Sequence, residues 1–498
     1  MIAERCVYNY GVNLSFFAYR FNRSLPGSCS HIITVQSLIS KNNCSLDTIS
    51  SCQQGTFFPC RGASNMLESQ CARRRNDYQA MSVCSYKEIE GGVTAAKGFV
   101  ANALACGIKK PTATRLDLAL VYSTEPTTSA GTFTTNRVCA ACVRVSKNHL
   151  KKGNIRAIIA NSGNANACTG ANGVMVARKE CSIVAKELGL KQSEVAVCST
   201  GVIGLPMPMV RIEPRIPELC QNLSAEKGHD VASAIITSDT REKEVAVEVT
   251  IGGKKVRIGS CCKGAGMISP CMATMICLVC TDAAVSREDL EQIVSEGVSQ
   301  SFNRITIDGD MSTNDTCLVL ANGASGVTVA PGAEGWDTFV QALHYVLMEQ
   351  ARRIVQDGER VTKFVTVKVE GAPSAAEAKR VAEGVAKSAL VKSSWNGGDP
   401  NWGRIIHAVG YSGTRVREEK IDIDIAGLPA CRGGVQTDTP SDDLRERVQA
   451  REFTVRINLN LGKEEYVVYT TDLSPEYVDF NRSEYAYWNQ AKQDGLTK

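Results

Sequence analysis

KGAGMISPCMATMICLVC, residues 263–280, changes character at its middle. The first half is a glycine-rich loop, with Gly264 and Gly266 behind Lys263 and Pro270 following, where backbone turns sharply or approaches a ligand. The second half, residues 275–280, is an apolar run of strand length. Thr274 stands at the junction, preceded by the small Ala273. A hydroxyl at the head of a buried strand is commonplace, but it acquires chemistry if the peptide bond before it is cut. The freed α-amine, with a reference pKa of about 7.7–8.0, is one of the few groups besides histidine that accept a hydroxyl proton near neutrality.

Outward from this junction, apolar runs alternate with stretches of helical period from residue 86 onward, which predicts an α/β or α+β protein. Strands are expected over 117–123, 130–135, 155–160, 304–308, 316–321, 362–370, 420–425, 453–459 and 466–470. Helices are expected over 174–190, 336–356 and 375–391, and another from the Ser286 cap with Asp289 through Ser299. Glycine and small polar residues concentrate at 161–166, 199–204, 263–273, 308–315 and 396–404. One such segment is usually a turn; five in one chain suggest a cleft.

The 498 residues, 43% hydrophobic and 22% charged, allow about two or three domains and exclude collagen-like, disordered and disulfide-framework classes. No run of about 18 apolar residues is present to span a bilayer. Residues 1–80 hold 8 basic and 4 acidic residues, so the net charge of +4 arises there and the remaining 418 residues balance at 48 and 48. A neutral body gives no electrostatic reason to expect nucleic acid or an anionic membrane as partner. The same 80 residues carry 11 Ser and 6 Cys without clear hydrophobic periodicity, which reads as an organelle transit peptide or a disordered leader.

Phosphate loops, dinucleotide fingerprints, zinc-protease motifs and GxSxG elbows are absent, and five His give poor support for Ser-His or Cys-His catalysis. His407, near one motif, reads as a core or helix-end residue. The spacings Cys139/Cys142 and Cys277/Cys280 lie in β-branched, Ala-rich stretches not framed by zinc-ribbon turns, so no metal is expected, although a metal or scaffold protein using the four thiols is an alternative.

The loop and Thr274 resemble the autocleavage segment of the ornithine acetyltransferase (glutamate N-acetyltransferase) family of arginine biosynthesis. Eight further segments agree in order: GGVTAAKGF at Gly91, AGTFTTN at Ala130, ANSGNANACTG at Ala160, STGVIG at Ser199, AIITSDT at Ala234, SFNRITIDGDMSTNDT at Ser301, DGE at Asp357 and GGDPNWGRI at Gly397. The resemblance covers roughly residues 86–485. It implies a layered α/β sandwich of the self-processing type and a precursor cut between Ala273 and Thr274. The products would be an α chain (81–273) and a β chain (274–498) that stay together as a heterotetramer.

The implied reaction is ping-pong: N-acetylornithine acetylates Thr274, ornithine leaves, and glutamate takes the acetyl group. Acetyl-CoA is a possible further donor, and no cofactor is implied. Thr200 and Gly201 match the oxyanion donors; Thr237, Lys263, Glu359 and Asn481 match substrate contacts. The family pattern is departed from at Cys271, Met311, Arg360-Val361 and Ala486. The leader's Ser/Arg bias and the resemblance to plant-type members suggest a chloroplast location, with the mitochondrial matrix as alternative. A self-processed amidohydrolase or aminopeptidase, passing the acyl group to water, is the nearest rival.

Overall fold

The computed structural model describes residues 86–269, 275–482 and 489, together with two short strands, Arg5–Val7 and Asn13–Ser15. The chain divides into two units, Met1–Ala80 and Met81–Lys498. In the first, the two short strands pair antiparallel; the leader reading of residues 1–80 otherwise falls outside the described residues.

The second unit is built around the strand that the opening stretch predicts. Ile276–Thr281 is buried at every position. Its side chains alternate between two cores, as the two-residue period of a strand requires. Cys277 and Val279 pack with Leu290 and Ile293 of helix Arg287–Gln300 and with Phe339 and Leu343 of helix Trp336–Gln356. Ile276, Leu278 and Cys280 face the opposite way, against Ala101, Val121, Ile158 and Cys198 of a second sheet. Each fully buried Leu, Ile or Val contributes roughly 1.5–3 kcal/mol, so burial on two faces explains the unbroken apolar run.

The first sheet has six strands in the order Tyr86–Ile89, Lys243–Ile251, Lys254–Lys263, Ile276–Thr281, Thr316–Ala321 and Thr128–Phe133. The second has four: Phe99–Leu104, Leu118–Ser123, Ala157–Asn161 and Val195–Ser199. Its outer face carries helices Ala141–Lys152 and Gly170–Leu188. Helix, sheet, sheet and helix thus stack as four layers, the layered α/β sandwich expected. Segments from both sides of residues 273/274 share the six-stranded sheet: Lys254–Lys263 pairs antiparallel with Ile276–Thr281, Lys263 opposite Ile276. A third sheet of six strands, from Phe364–Ala372 to Glu464–Thr471, is covered by helices Ala375–Lys387 and Trp402–Gly410 around its own core.

Three expectations are corrected. Residues 304–308 form no strand: Phe302–Arg304 is a 3-10 turn, Ile305 makes one isolated bridge to Tyr469, and the Asp308 carboxylate caps the amides of Met267 and Ile268. The helix expected over 375–391 breaks at Ser388, whose hydroxyl accepts from Val391 N and starts a new helix, Ala389–Asn396. The segment holding Cys139 and Cys142 opens helix Ala141–Lys152, and its β-branched Val143 and Val145 are buried on helical faces. Cys277 and Cys280 point into opposite cores, so that pair cannot close on one ion.

Candidate active site

Four of the five glycine-rich segments meet at the C-terminal end of Lys254–Lys263. Segment 161–166 bridges segment 199–204 through Asn164, paired with Thr200 and Val202. Gly201 has φ +133°, and a Cβ there would lie 2.3 Å from the Gly163 carbonyl carbon and 2.5 Å from Asn164 N. Only glycine lets these two loops touch. Asn314 pins both, its Nδ2 donating to Ser199 O at 2.7 Å and to Ala165 O at 2.6 Å. The fifth segment, 396–404, lies elsewhere: its Asp399, Asn401 and Trp402 line a cavity of about 340 Å³ with Thr437, Ser441 and Arg445. His407 is exposed at the end of helix Trp402–Gly410, edge-on to Tyr411, the helix-end position expected.

Lys263 ends its strand almost fully buried, and its Nζ donates to Thr200 Oγ1 at 3.3 Å. The hydroxyl proton of Thr200 therefore remains available for another acceptor. Burial depresses the Lys263 pKa and the Lys243 ammonium adds to this, while Asp239 and Glu359 pull the other way. Asp239 accepts from Gly264 N at 2.7 Å, Thr237 N at 3.0 Å and Lys243 Nζ at 2.7 Å. Burial alone would raise this carboxyl, but the ammoniums of Lys263 and Lys243 outweigh it and hold the group at about 2.

Glu359 reaches the same loop from the end of helix Trp336–Gln356. Its N–H donates to Ala265 O at 2.8 Å, and its carboxylate lies where a Cβ on Gly266 would be, 2.4 Å away. Asn481, at the end of helix Pro475–Asn481, donates from Nδ2 to Glu359 Oε2 at 3.2 Å. Arg360, one of the departures from the family pattern, lies 5.0 Å over the Phe480 ring, which ties this helix to the glutamate loop. Met311, another, accepts from Asn136 Nδ2 at its carbonyl.

Thr200, Gly201, Thr237, Lys263, Glu359 and Asn481 are thus joined by one chain of contacts. Ala273, Thr274, Cys271 and Ala486 lie outside the described residues. Met275, covalently next to Thr274, donates its N–H to Asp315 Oδ1 at 3.0 Å. Asp315 is fully buried, and burial raises its pKa well above the usual carboxylate range.

Sequence reasoning passed over Asp239, Lys243, Asn314, Asp315 and Asp357, although four of the five sit in quoted motifs, in AIITSDT, STNDT and DGE. The neglected signal is a carboxylate beside glycine or threonine in a loop expected to be buried: such a charge needs a partner.

A four-layer sandwich in which a buried ammonium donates to the Thr200 hydroxyl, where loops of the two sheets meet, is a scaffold suited to the stabilisation of an oxyanion in acyl transfer. The model of the ArgJ family matches residues 100–486, and the chain belongs to that family. It is 46% identical to the arginine biosynthesis bifunctional protein ArgJ of Geobacter sulfurreducens over 387 residues, 77% of this chain and 98% of that one. The protein of the same name from Symbiobacterium thermophilum is 41% identical over 79% of this chain and 98% of its own. Among solved structures, ArgJ from Bacillus halodurans is 35% identical, with a TM-score of 0.40 over 41% of this chain and 97% of that one.

These relatives correct one expectation. The chloroplast location, and the mitochondrial alternative with it, is withdrawn: the matched relatives are bacterial proteins, covered over 98% of their length.

Proposed function

We propose that the chain cuts itself between Ala273 and Thr274 and then carries acetyl on the Thr274 hydroxyl from N2-acetylornithine to glutamate. Membership of the ArgJ family makes it an acetyltransferase of arginine biosynthesis, handling ornithine- and glutamate-type substrates. The observation that carries the finer reading is the meeting of Lys263 with Thr200 at 3.3 Å, in register with the strand that begins beside Thr274.

In the precursor, Thr274 Oγ attacks the Ala273 carbonyl. The C–N bond breaks, an ester forms, and its proton passes to the released amine; water then hydrolyses the ester. In turnover the amine of Thr274 accepts the hydroxyl proton as Oγ attacks the acetyl carbonyl, and ornithine leaves with that proton on N2. The amine of glutamate repeats the attack in reverse. Thr200 Oγ1 and Gly201 N–H donate to the oxyanion of each tetrahedral intermediate. Lys263 takes the substrate α-carboxylate; Glu359, with Asn481 beside it, takes the free amino group, and Thr237, next to Asp239, is a further substrate contact. Residues 81–273 and 274–498 are the two products, held together by the shared six-stranded sheet and assembling as a heterotetramer. Acetyl-CoA enters as an alternative donor to the same hydroxyl.

The test is an assay with N2-acetylornithine, with and without glutamate. Ornithine release should require glutamate and yield N-acetylglutamate; acetate at equal rates in both would make the enzyme a hydrolase.

A pH dependence follows from Lys263, which must be charged to attract a carboxylate. Its folded pKa is depressed by burial, so kcat/KM falls as pH rises through that value. Asp239 opposes the depression, so Asp239→Asn lowers the pKa further. Its alkaline limb is expected at lower pH than in the wild type, and an unmoved or upward-shifted limb would remove Lys263 from carboxylate binding.

A further inference from the structure

Three segments meet in the loop that begins at Lys263, and each carries one of the residues assigned to substrate: Thr237, Glu359 and Lys263 itself. The first, 237–243, reaches the loop through Asp239, which accepts from Gly264 N. The second, 357–359, reaches it through Glu359 N, which donates to Ala265 O. The third is the loop itself, whose Gly266 lies under the Glu359 carboxylate.

The ring is closed by a group the proposed chemistry does not use. Lys243 is fully buried, and its Nζ donates to Asp239 Oδ1 at 2.7 Å and to Asp357 Oδ2 at 2.5 Å. It also donates to Arg241 O at 3.4 Å. Asp357 also accepts from Thr240 N at 3.1 Å and from the Thr240 hydroxyl. A buried ammonium bonded to two carboxylates is rigid, because any opening strands charge in the core. The backbone anchors of Lys263 and Glu359, joined directly by Glu359 N and Ala265 O, are held a second time through this cation.

We propose that Lys243 is a positioning residue that sets the spacing between the Lys263 ammonium and the Glu359 carboxylate, and so selects donors by the chain length between carboxylate and free amine. The proposal rests on the substrate roles given to Lys263 and Glu359 above. In N2-acetylornithine that length is the side chain itself. One methylene less leaves a charged group short of its partner and one more forces it past, and a single methylene is worth about 10–200-fold in discrimination.

The experiment compares kcat/KM for N2-acetylornithine, N2-acetyllysine and N2-acetyl-2,4-diaminobutyrate, with glutamate as acceptor. The wild type should favour the ornithine compound at least about tenfold over both. Lys243→Met should bring the three within about threefold, mainly by raising KM for ornithine. That variant leaves two carboxylates facing each other in the core, where folding can fail. Asp357→Asn removes one arm of the bridge, keeps an acceptor for Thr240, and is read the same way. General loosening would lower all three rates and preserve their ratio. A preserved ratio in the folded variants, or a wild type indifferent to length, overturns the gauge. Absence of transfer from every donor in the wild type overturns the transferase reading first, and is distinguishable from both.

Discussion

Thr274→Ala is expected to give a single uncut chain with no measurable acetyl transfer. Both events draw on the same atom: in the proposed mechanism the hydroxyl attacks the Ala273 carbonyl in the precursor and the acetyl carbonyl in turnover, and the variant's methyl side chain lacks it. Removing a nucleophile leaves only the rate supplied by binding and oxyanion donors, so the expected loss reaches the detection limit. The fold should survive, because Met275 keeps its N–H on Asp315 and the strand Ile276–Thr281 keeps its burial. Thr274→Ser retains a hydroxyl and should both cut and transfer, at reduced rate. Gel mobility and a coupled ornithine assay read the two outcomes; an uncut but active Thr274→Ala would end the covalent mechanism.

Thr200→Val should cost about 10²–10³ in kcat, or about 2.7–4 kcal/mol of transition-state stabilisation, the usual loss on removing one oxyanion donor. Valine matches the shape of threonine, so the packing of the loop against Asn164 is kept while the donor goes. KM should change little, because in the proposed role the Thr200 hydroxyl interacts with charge that develops only in the transition state. Lys263 loses an acceptor at 3.3 Å, yet Asp239 remains beside it, so substrate carboxylate binding persists. Steady-state kinetics on the processed variant decide the matter. A loss confined to KM would reassign Thr200 to ground-state binding.

Much of this was legible before any coordinates. The strand after Thr274 stood out because both its faces are buried and no polar residue interrupts it. Helix Trp336–Gln356 appeared with the bounds expected, since its apolar positions keep helical period for 21 residues. The hairpin Lys243–Ile251 and Lys254–Lys263 was not foreseen: its β-branched alternation is masked by Glu244, Glu248 and Arg257 at half-covered positions and by Lys243 and Lys263 at buried ones. The break at Ser388 escaped because the apolar pattern continues across it, while only the cap hydrogen bond marks the new start. At the site, nucleophile, cation and carboxylate were each visible as residue types in motifs. The contacts that join the cation to the carboxylate were not, because Asp239, Lys243 and Asp357 are brought together by tertiary structure: 114 positions separate Lys243 from Asp357. No local pattern encodes such a pair.

The central claim is that this protein makes its own catalytic base by severing one peptide bond. Intact-mass spectrometry of purified wild-type protein, taken from the same sample that transfers acetyl to glutamate, tests it most directly. Two fragments meeting at residues 273 and 274, with Thr274 at a free N-terminus, are the predicted result. An active preparation in which the bond between Ala273 and Thr274 is unbroken would contradict it.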